Sequence, residues 1–364
     1  MDYKPYKSFE EQAILLCDRG MTSCNGLSRV ELVAEIESRL SYINYYRFSA
    51  YWFPFYIDGA AGEKSPIFAS GTHWETICAI YMFDRRLRNL MFDAISRIEI
   101  ALRTQIAHVW SWYSQVSNPQ KEAKNYREKF TRSSFDREKN EQKPSRYFRL
   151  LKSVDDNYQA NRVAFTEKHI RPTAKHAKDL HVWEFVEFAT FGNLNTLLAQ
   201  GLPDAVVSEI AQKFGFDGKD KEIFVSCVAL LKEVRNACAH QSRIWNKSWT
   251  YTNAQKQSSR ESKRYVVDIL KDLSFESWKY EWNTESQQWE SMCSKAKGET
   301  LHISKNRTAA VLTVCNILLR AAASRSQWKE RLKNLLSGED VPMPEMHVHL
   351  GFSNAHWHEH PLWK

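Results

Sequence analysis

Arg235, Asn236 and His240 are the side chains of this sequence whose types and spacing best suit chemistry. A histidine can accept or donate a proton near neutral pH, and a guanidinium can hold a phosphate oxygen and offset the charge that develops on it. On a helix Asn236 and His240 share a face, so the amide can orient the imidazole. This combination is typical of chemistry on a phosphodiester. The alternative is a solvated helix end with no catalytic role.

Residues 223–246 predict the helix that carries this group. Apolar side chains recur there at helical spacing, which indicates a stripe that faces the core. At about 100° per residue, Arg235 lies at the edge of the stripe, and His240 lies roughly opposite Leu231 and is expected to face solvent. The stripe consists of Phe224, Cys227, Val228, Leu231, Val234 and Cys238.

The bare spacing Arg-x4-His is weak evidence, because it occurs twice more, at Arg103–His108 and Arg171–His176. Arg103 is four residues from Glu99, so the two can pair along a helix. Arg103 is also a candidate phosphate contact. The 171–176 segment contains a proline and is predicted to be a loop, so its spacing is read as coincidence.

Composition limits the class of protein. The 364 residues carry a net charge of +8, which makes an anionic partner plausible but does not separate nucleic acid from an acidic protein or membrane surface. The seven cysteines are scattered without a CxxC pair, which favours reduced thiols over a zinc ribbon or disulfide scaffold. The sequence lacks a signal-peptide pattern and an apolar run of membrane-spanning length. A cytoplasmic protein without a cofactor is therefore expected.

A basic segment lies within residues 114–178. Between 121 and 152 there are 11 Lys and Arg against 5 Asp and Glu. Aromatic residues are interleaved with the cations, a mixture that suits RNA because cations meet phosphates while rings stack on unpaired bases. A mobile, solvated insertion is the alternative. The candidate RNA contacts are Arg127, Lys129, Arg146 and Arg149, and the aromatic residues are Tyr126, Phe130, Phe135, Tyr147 and Phe148.

The first 55 residues predict two capped helices and an aromatic segment. Ser8 with Glu11, and Ser28 with Glu31, are capping-box pairs. The stretch 40–55 is dense in aromatic residues and contains Arg47. Arg47 is interpreted either as a structural cation among aromatic rings or as a further RNA contact.

Further helices are predicted at 72–113, 180–200 with a break near Gly192, 203–213 and 306–336. Alternating aromatic residues at 276–292 favour a small hairpin. The C-terminal tail is rich in histidine, which suits zinc or nickel, but a packing role is the plainer interpretation and no metal site is assigned. The tail histidines are His347, His349, His356, His358 and His360.

Several of these stretches resemble known proteins. Arg235-Asn-Ala-Cys-Ala-His240 resembles the Arg-Asn-x3-His signature of HEPN-type ribonucleases. The strings KPYKSFEEQ, INYYRFSAYW, FDRRLRNLMFDAISRIEIALRTQIAH and EFATFGNLNTLL resemble, in order, the Abi-like (AbiF/AbiD) abortive-infection proteins, a HEPN-containing group.

The resemblance implies a mostly α fold built on a HEPN-like helical bundle. We expect an N-terminal helical region at 1–70 and a HEPN-like core at 71–250 that includes the basic insertion 114–178. A C-terminal region at 251–364, with the small β-hairpin, is expected to pack on the core.

The resemblance also implies a function. It points to a metal-independent endoribonuclease toxin of an anti-phage abortive-infection system, in which Arg235, Asn236 and His240 are catalytic. Such nucleases pair two motifs across a homodimer, and a structured small RNA acts as antitoxin by similarity to the HEPN domains of type VI CRISPR effectors. The alternative is a non-catalytic protein that binds either RNA or a factor from the host or the phage.

Overall fold

The computed structural model describes residues 5–57, 66–136, 141–166, 174–217, 220–247, 249–252, 263–265, 280–283, 288–291, 308–338, 341–344, 346–352, 355–359 and 363. In these residues the chain is mostly helical, as predicted. The helices are α1 Phe9–Asp18, α2 Arg29–Leu40, α3 Tyr45–Trp52, α4 Trp74–Ser114, α5 Glu128–Thr131, α6 Arg146–Thr166, α7 Val182–Phe188, α8 Phe191–Thr196, α9 Asp204–Lys213, α10 Lys221–Ala239, α11 Thr308–Ala322, α12 Trp328–Ser337 and α13 Met346–Leu350.

Among the described residues, short strands form three two-stranded antiparallel pairs. The hairpin predicted at 276–292 is confirmed, because its strands pair with Tyr280 opposite Ser291. Its turn lies outside the described residues. The strands are β1 Ser134–Asp136, β2 Glu141–Lys143, β3 Thr250–Thr252, β4 Lys263–Tyr265, β5 Tyr280–Asn283 and β6 Gln288–Ser291.

Helix α4 is the centre of the bundle, and α3, α7, α8, α9, α10, α11 and α12 all pack against it. Apolar residues recur along its 41 residues at helical spacing, and they are buried from Ile77 to Trp110. The predicted helix at 72–113 is thus confirmed. Asp84, Arg88 and Glu99 are also buried on α4, and each therefore needs a partner.

The two N-terminal capping boxes are confirmed. Ser8 Oγ accepts a hydrogen bond from the Glu11 N–H at 3.1 Å, and the Glu11 carboxylate accepts one from the Ser8 N–H at 2.6 Å. Ser28 and Glu31 repeat the arrangement at the start of α2. Such reciprocal bonds satisfy two donors that a helix start leaves unpaired, so the signal is local and readable from sequence.

The single helix predicted at 306–336 is wrong in one respect, because the chain forms α11 and α12 with a break at 323–327. Ser326 Oγ accepts the N–H of Trp328 at 3.2 Å and so satisfies a donor near the start of α12. The break lets Trp328 reach α4, where its indole N–H donates to the Leu90 carbonyl at 2.8 Å. The free energy gained by burying this indole favours the break, although the helical pattern of the sequence continues through it.

The break predicted near Gly192 is confirmed at Ala189–Thr190, but the glycine does not form it. Thr190 caps α8, with its hydroxyl accepting from the Asn193 N–H at 3.1 Å. Gly192 lies inside α8, and the chain continues as a π-helical turn at Leu197–Gly201. A side-chain cap therefore separates the two helices, rather than the freedom of a glycine.

The basic segment is ordered where the structure describes it. Helix α6 buries Leu150, Val154 and Tyr158, so a mobile insertion is the wrong interpretation of this part. Tyr126 and Phe130 are only 5% and 1% exposed. They pack in the core and are not available to stack on RNA bases.

Candidate functional site

The predicted catalytic residues lie at the C-terminal end of α10. The apolar stripe of this helix is buried as expected, while Arg235 and Asn236 are partly exposed. His240 follows the last helical residue and is exposed, and its N–H donates to the Asn236 carbonyl at 2.9 Å. The spacing therefore places all three side chains at one solvent-facing helix end.

The end of α10 is fixed by a Schellman motif. The Gln241 N–H donates to the Cys238 carbonyl at 3.1 Å, and the Ser242 N–H donates to the Ala237 carbonyl at 2.8 Å. Gln241 has a φ of 56°, a left-handed conformation that costs a residue with a side chain about 1–2 kcal/mol. A strained position such as this persists where neighbouring contacts hold it.

Two arginines supply such contacts by joining helix α3 to this segment. The Arg47 guanidinium donates to the carbonyl of Gln241, the residue after His240. Arg243 Nη1 donates to the Ala50 carbonyl at 2.5 Å. Arg47 is exposed and comes from a part of the sequence almost 200 residues away. The structure thus places a second arginine beside the predicted catalytic histidine.

Asp84 holds the same segment from the α4 side. Its carboxylate accepts the N–H groups of Trp245 at 2.6 Å and Ile244 at 3.2 Å. It also accepts the Tyr51 hydroxyl at 2.6 Å and pairs with Arg88. Burial raises the pKa of the Asp84 carboxyl, and these donors oppose the rise by stabilising the carboxylate.

The side chain of Arg235 is only partly satisfied. Its Nη1 donates to Asn236 Oδ1 at 3.4 Å. Its Nε is buried and lacks a hydrogen-bond partner within the described chain. Buried donors normally find a partner, so an unpaired one at a site is a signal worth explaining. The Asn236 amide oxygen contacts the guanidinium, whereas the sequence prediction had it orienting the imidazole.

Cys238 lies between Asn236 and His240 but is not suited to nucleophilic chemistry. It is 3% exposed, and burial raises the pKa of its thiol to about 12. A thiol with such a pKa is protonated at neutral pH, whereas the reactive form is the thiolate. The chemistry available here is proton transfer by His240 and charge stabilisation by arginine.

Two predicted RNA contacts are engaged in the fold. Arg127 donates to the Ala199 carbonyl at 3.1 Å and pairs with Asp204 at 2.7 Å. Arg146 donates to Gln200 Oε1 at 2.5 Å. These contacts of the two arginines stabilise the turn before α9.

Lys129 and Arg149 are exposed, so they remain open to solvent as predicted RNA contacts. All four basic candidates of this segment lie far from His240. Asp204 pairs with both Arg127 and Lys221, which places Arg127 at the N-terminal end of α10. The 19 residues of α10 span about 28 Å, so the basic group and His240 lie at opposite ends of the helix.

Arg103 also has structural partners. It pairs with Glu99 at 2.6 Å, as the spacing predicted, and donates to the Val186 carbonyl at 3.0 Å and the Ala189 carbonyl at 3.1 Å. It therefore binds carbonyls at the end of α7. His108 is exposed one turn further along α4, so the Arg103–His108 pair lies on a different surface from His240.

The described tail histidines lie near packing partners. The ring of His349 is 6.5 Å from the ring of Trp245, and His356 and His358 lie 3.6 and 3.4 Å from the Glu359 carboxylate. No group of three or more His, Cys, Asp or Glu suited to a metal is found in the part of the chain that the structure describes. His360 and Arg171 lie outside that part.

Sequence reasoning missed the residues that support the helix end. Asp84 and Arg88 carried a usable signal, since two opposite charges four residues apart lie on an otherwise apolar helix face. Lys247, whose ammonium lies 4.1 Å from the centre of the Trp249 ring, was also missed. Burial lowers the pKa of Lys247.

Comparison with known proteins identifies a family. A family model described as Abi-like protein matches residues 38–246, more than half of the chain. The match includes Arg47, Asp84 and the whole of α10. No curated protein and no solved structure matches the chain. Across the described residues, no helix has the length and apolar character needed to cross a membrane.

Proposed function

Because the chain belongs to the Abi-like protein family, which suggests a role in abortive infection, we propose that it is an endoribonuclease toxin of an anti-phage system. The observation that carries this proposal is that Arg235, Asn236 and His240 lie at one helix end, where the Arg47 guanidinium binds the carbonyl of the next residue, Gln241. This end combines a proton-transfer group with two guanidinium groups at a solvent-facing surface.

In the proposed reaction, the 2′-hydroxyl of a ribose attacks the adjacent phosphorus. Neutral His240 accepts the hydroxyl proton as the new P–O bond forms. Arg235 stabilises the negative charge on the phosphoryl oxygens. The bond to the 5′-oxygen breaks, which leaves a 2′,3′-cyclic phosphate and a 5′-hydroxyl after that oxygen is protonated.

The leaving 5′-oxygen needs a proton donor. In a homodimer with the ends of α10 facing each other, the partner subunit's His240 supplies it as imidazolium. One histidine then acts as base and the other as acid, which a single α10 cannot provide. A two-fold site is therefore part of the proposal.

No metal is required in this scheme, because imidazole moves the protons and guanidinium stabilises the charge. An RNA in which the ribose at the cut position is replaced by deoxyribose tests this mechanism directly. We expect the all-ribose RNA to be cut in excess EDTA with cyclic phosphate ends, and the substituted RNA to survive. Cutting of the substituted RNA, or loss of activity in EDTA, would refute the scheme.

A structured small RNA is proposed to restrain the toxin in the cell. Support comes from the family membership and from exposed cations such as Lys129 and Arg149. Purification from the native host followed by sequencing of bound RNA tests this. One abundant structured species is expected, and a random sample of cellular RNA would argue against it.

The second candidate function is non-catalytic binding of RNA, or of a host or phage factor. The exposed His240, and the pairing of Arg127 with Asp204 of the fold, are compatible with binding alone. Cell toxicity separates the two. Toxicity that persists in both Arg235→Ala and His240→Ala would favour the binding role.

A further inference from the structure

A groove lies between the C-terminal part of α4 and α7, on a different surface from His240. Its volume is about 650 Å³, within the range of sites that bind small ligands. Hydrogen bonds join the two walls of the groove at both of its ends. The Val182 N–H donates to the Ser117 carbonyl at 2.8 Å at one end, and Arg103 binds the carbonyls of Val186 and Ala189 at the other. The groove is therefore preformed.

Two tryptophans line this groove and are exposed, Trp112 by 67% and Trp183 by 51%. Every other tryptophan whose burial is described is at most 5% exposed. The fold thus buries its indoles except at this groove. The ring of Trp183 is stacked on His181 at a centroid distance of 4.3 Å and 17° between planes, so the imidazole supports one face of the indole.

Polar groups accompany the two rings. His108 and Gln115 lie in the lining, and the buried Ser111 hydroxyl has no hydrogen-bond partner in the described part of the chain. Glu187 adds an acceptor. Indole faces with a few donors and acceptors suit a planar, heteroaromatic ring, because stacking provides affinity and edge hydrogen bonds fix its orientation.

The basic segment begins beside this groove. Gln120 Nε2 donates to the Leu180 carbonyl at 2.7 Å, two residues before α7 starts. Lys121 lies within 3.6 Å of Asp179. From Lys121 onward, cations exceed acids by six over 32 residues. Because the segment that begins beside the groove carries this surplus of cations, charge and rings favour a nucleic acid strand over an apolar peptide.

We propose that this groove binds an unpaired base of an RNA strand and so anchors RNA away from the cleavage site. The proposal rests on the proposed function in that RNA is taken as the ligand. Asp84 binds the segment after His240, and His108 is 24 residues further along α4. The groove therefore lies roughly 36 Å along the helix axis from that end, which makes it a separate contact.

Binding is measured in the His240→Ala background, so that cleavage does not interfere. The probe is a fluorescein-labelled single-stranded RNA of about 20 nucleotides, followed by anisotropy. Trp112→Ala and Trp183→Ala are expected to lower the affinity about tenfold each, in line with the loss of one stacked base. Trp112→Phe keeps a ring and should retain most of the affinity.

Tyr6→Ala is the matched control, because Tyr6 is an aromatic residue exposed by 90% that does not line the groove. It should bind the RNA as the background does. A duplex RNA of the same length, whose bases are already paired, should lose little affinity in the Trp112→Ala variant. Light scattering on each variant checks that its oligomeric state is unchanged.

Equal affinity of the tryptophan variants and the background for single-stranded RNA would overturn the proposal. A change of oligomeric state without a change of RNA affinity would also overturn it, by assigning the groove to a protein contact. This experiment tests the groove independently of the nuclease proposal. If Trp112→Ala loses RNA binding, the groove proposal is supported even if the wild-type protein cuts no RNA. If the wild-type protein cuts RNA but the tryptophan variants bind RNA normally, only the groove proposal is refuted.

Discussion

The fold fixes the side chain of Arg235 more firmly than that of His240. Arg235 is partly buried and contacts the Asn236 amide, so its guanidinium is positioned before any ligand arrives. His240 is exposed beyond the last helical residue, and within the described chain its ring makes no hydrogen bond. A catalytic hydrogen bond that forms only with substrate or a second protomer is consistent with such a resting state.

Asn236 provides a prediction at the residue scale. Asn236→Ala removes the weak 3.4 Å contact and should lower the cleavage rate up to about tenfold. Asn236→Asp should be more damaging than Ala, because a carboxylate next to Arg235 neutralises the charge meant for phosphate. Single-turnover rates decide this. An Asp variant as active as wild type would mean that the reaction does not depend on the charge of Arg235.

Cys238 provides a pH-dependent prediction. Its pKa is raised by burial from 9.0 to about 12, so between these values the folded state holds a proton that the unfolded state loses. Stability therefore falls as pH rises through this window, by roughly 1 kcal/mol at pH 10 for this one thiol.

Urea unfolding of wild type and Cys238→Ala at pH 7.5 and 10 measures the effect. At pH 7.5 the Cys238 thiol is protonated in both the folded and the unfolded state. The comparison at this pH therefore measures only the packing that the variant loses. The variant should then lose roughly 1 kcal/mol less of its unfolding free energy than wild type on going to pH 10. Identical losses would show that the thiol titrates normally in the folded protein.

At the scale of elements, the end of α10 depends on α3 and α4. Asp84 binds two backbone N–H groups of the segment after His240, and Arg47 and Arg243 join that segment to α3. Three elements thus set the position of His240, although only α10 carries the motif. Pre-organisation of this kind is what a site needs to act on a phosphodiester.

Asp84→Ala tests this support. It leaves Arg88 buried without its carboxylate and should cost about 3–5 kcal/mol of stability. Cleavage should fall as well, because the segment after His240 loses its anchor. Chemical denaturation and RNA cleavage are the measurements.

Asp93→Ala is the matched control on the same helix. Asp93 pairs with Arg97 and Arg331 at a more exposed position, so its loss should cost only about 0–1 kcal/mol. Similar costs for the two variants would mean that the buried cluster does not stabilise the fold as described.

At the scale of the whole molecule, α4 connects the candidate site at one end with the tryptophan groove at the other. The chain has one His240, so the proposed acid–base pair requires two copies. Light scattering should give a mass of about twice 42.6 kDa.

A mixing experiment tests the shared site. Excess His240→Ala protein, equilibrated with wild type, should suppress activity well below the proportion of wild type present, because mixed dimers lack one imidazole. Excess His176→Ala protein, which keeps His240 and leaves the tryptophan groove unchanged, should not. Activity that simply follows the wild-type fraction would indicate a site complete in one chain.

How much could be read from the sequence depended on whether the signal was local. The capping boxes at Ser8 and Ser28, and the buried stripe of α10, follow from periodicity and short-range bonds, and all are confirmed. The contact of Arg47 with Gln241 links distant segments, and no local pattern encodes it.

The wrong predictions also arise from contacts between segments that are distant in sequence. The break between α11 and α12 is set by burial of Trp328 against α4, and a helical pattern alone does not contain that information. Tyr126 and Phe130 lie among cations in sequence but are buried in space. Charge patterning located the basic segment, while tertiary packing decided which of its side chains reach solvent.

The most direct test of the central claim compares RNA cleavage by wild type, His240→Ala and His176→Ala. His176 is the matched control, since it also ends an Arg-x4-His spacing and is exposed, but its ring lies beside Asp155 of α6 and does not line the tryptophan groove. We expect His240→Ala to lose at least 100-fold in rate, within the range for a lost proton-transfer group, and His176→Ala to retain cleavage. Equal cleavage by His240→Ala and wild type would contradict the account.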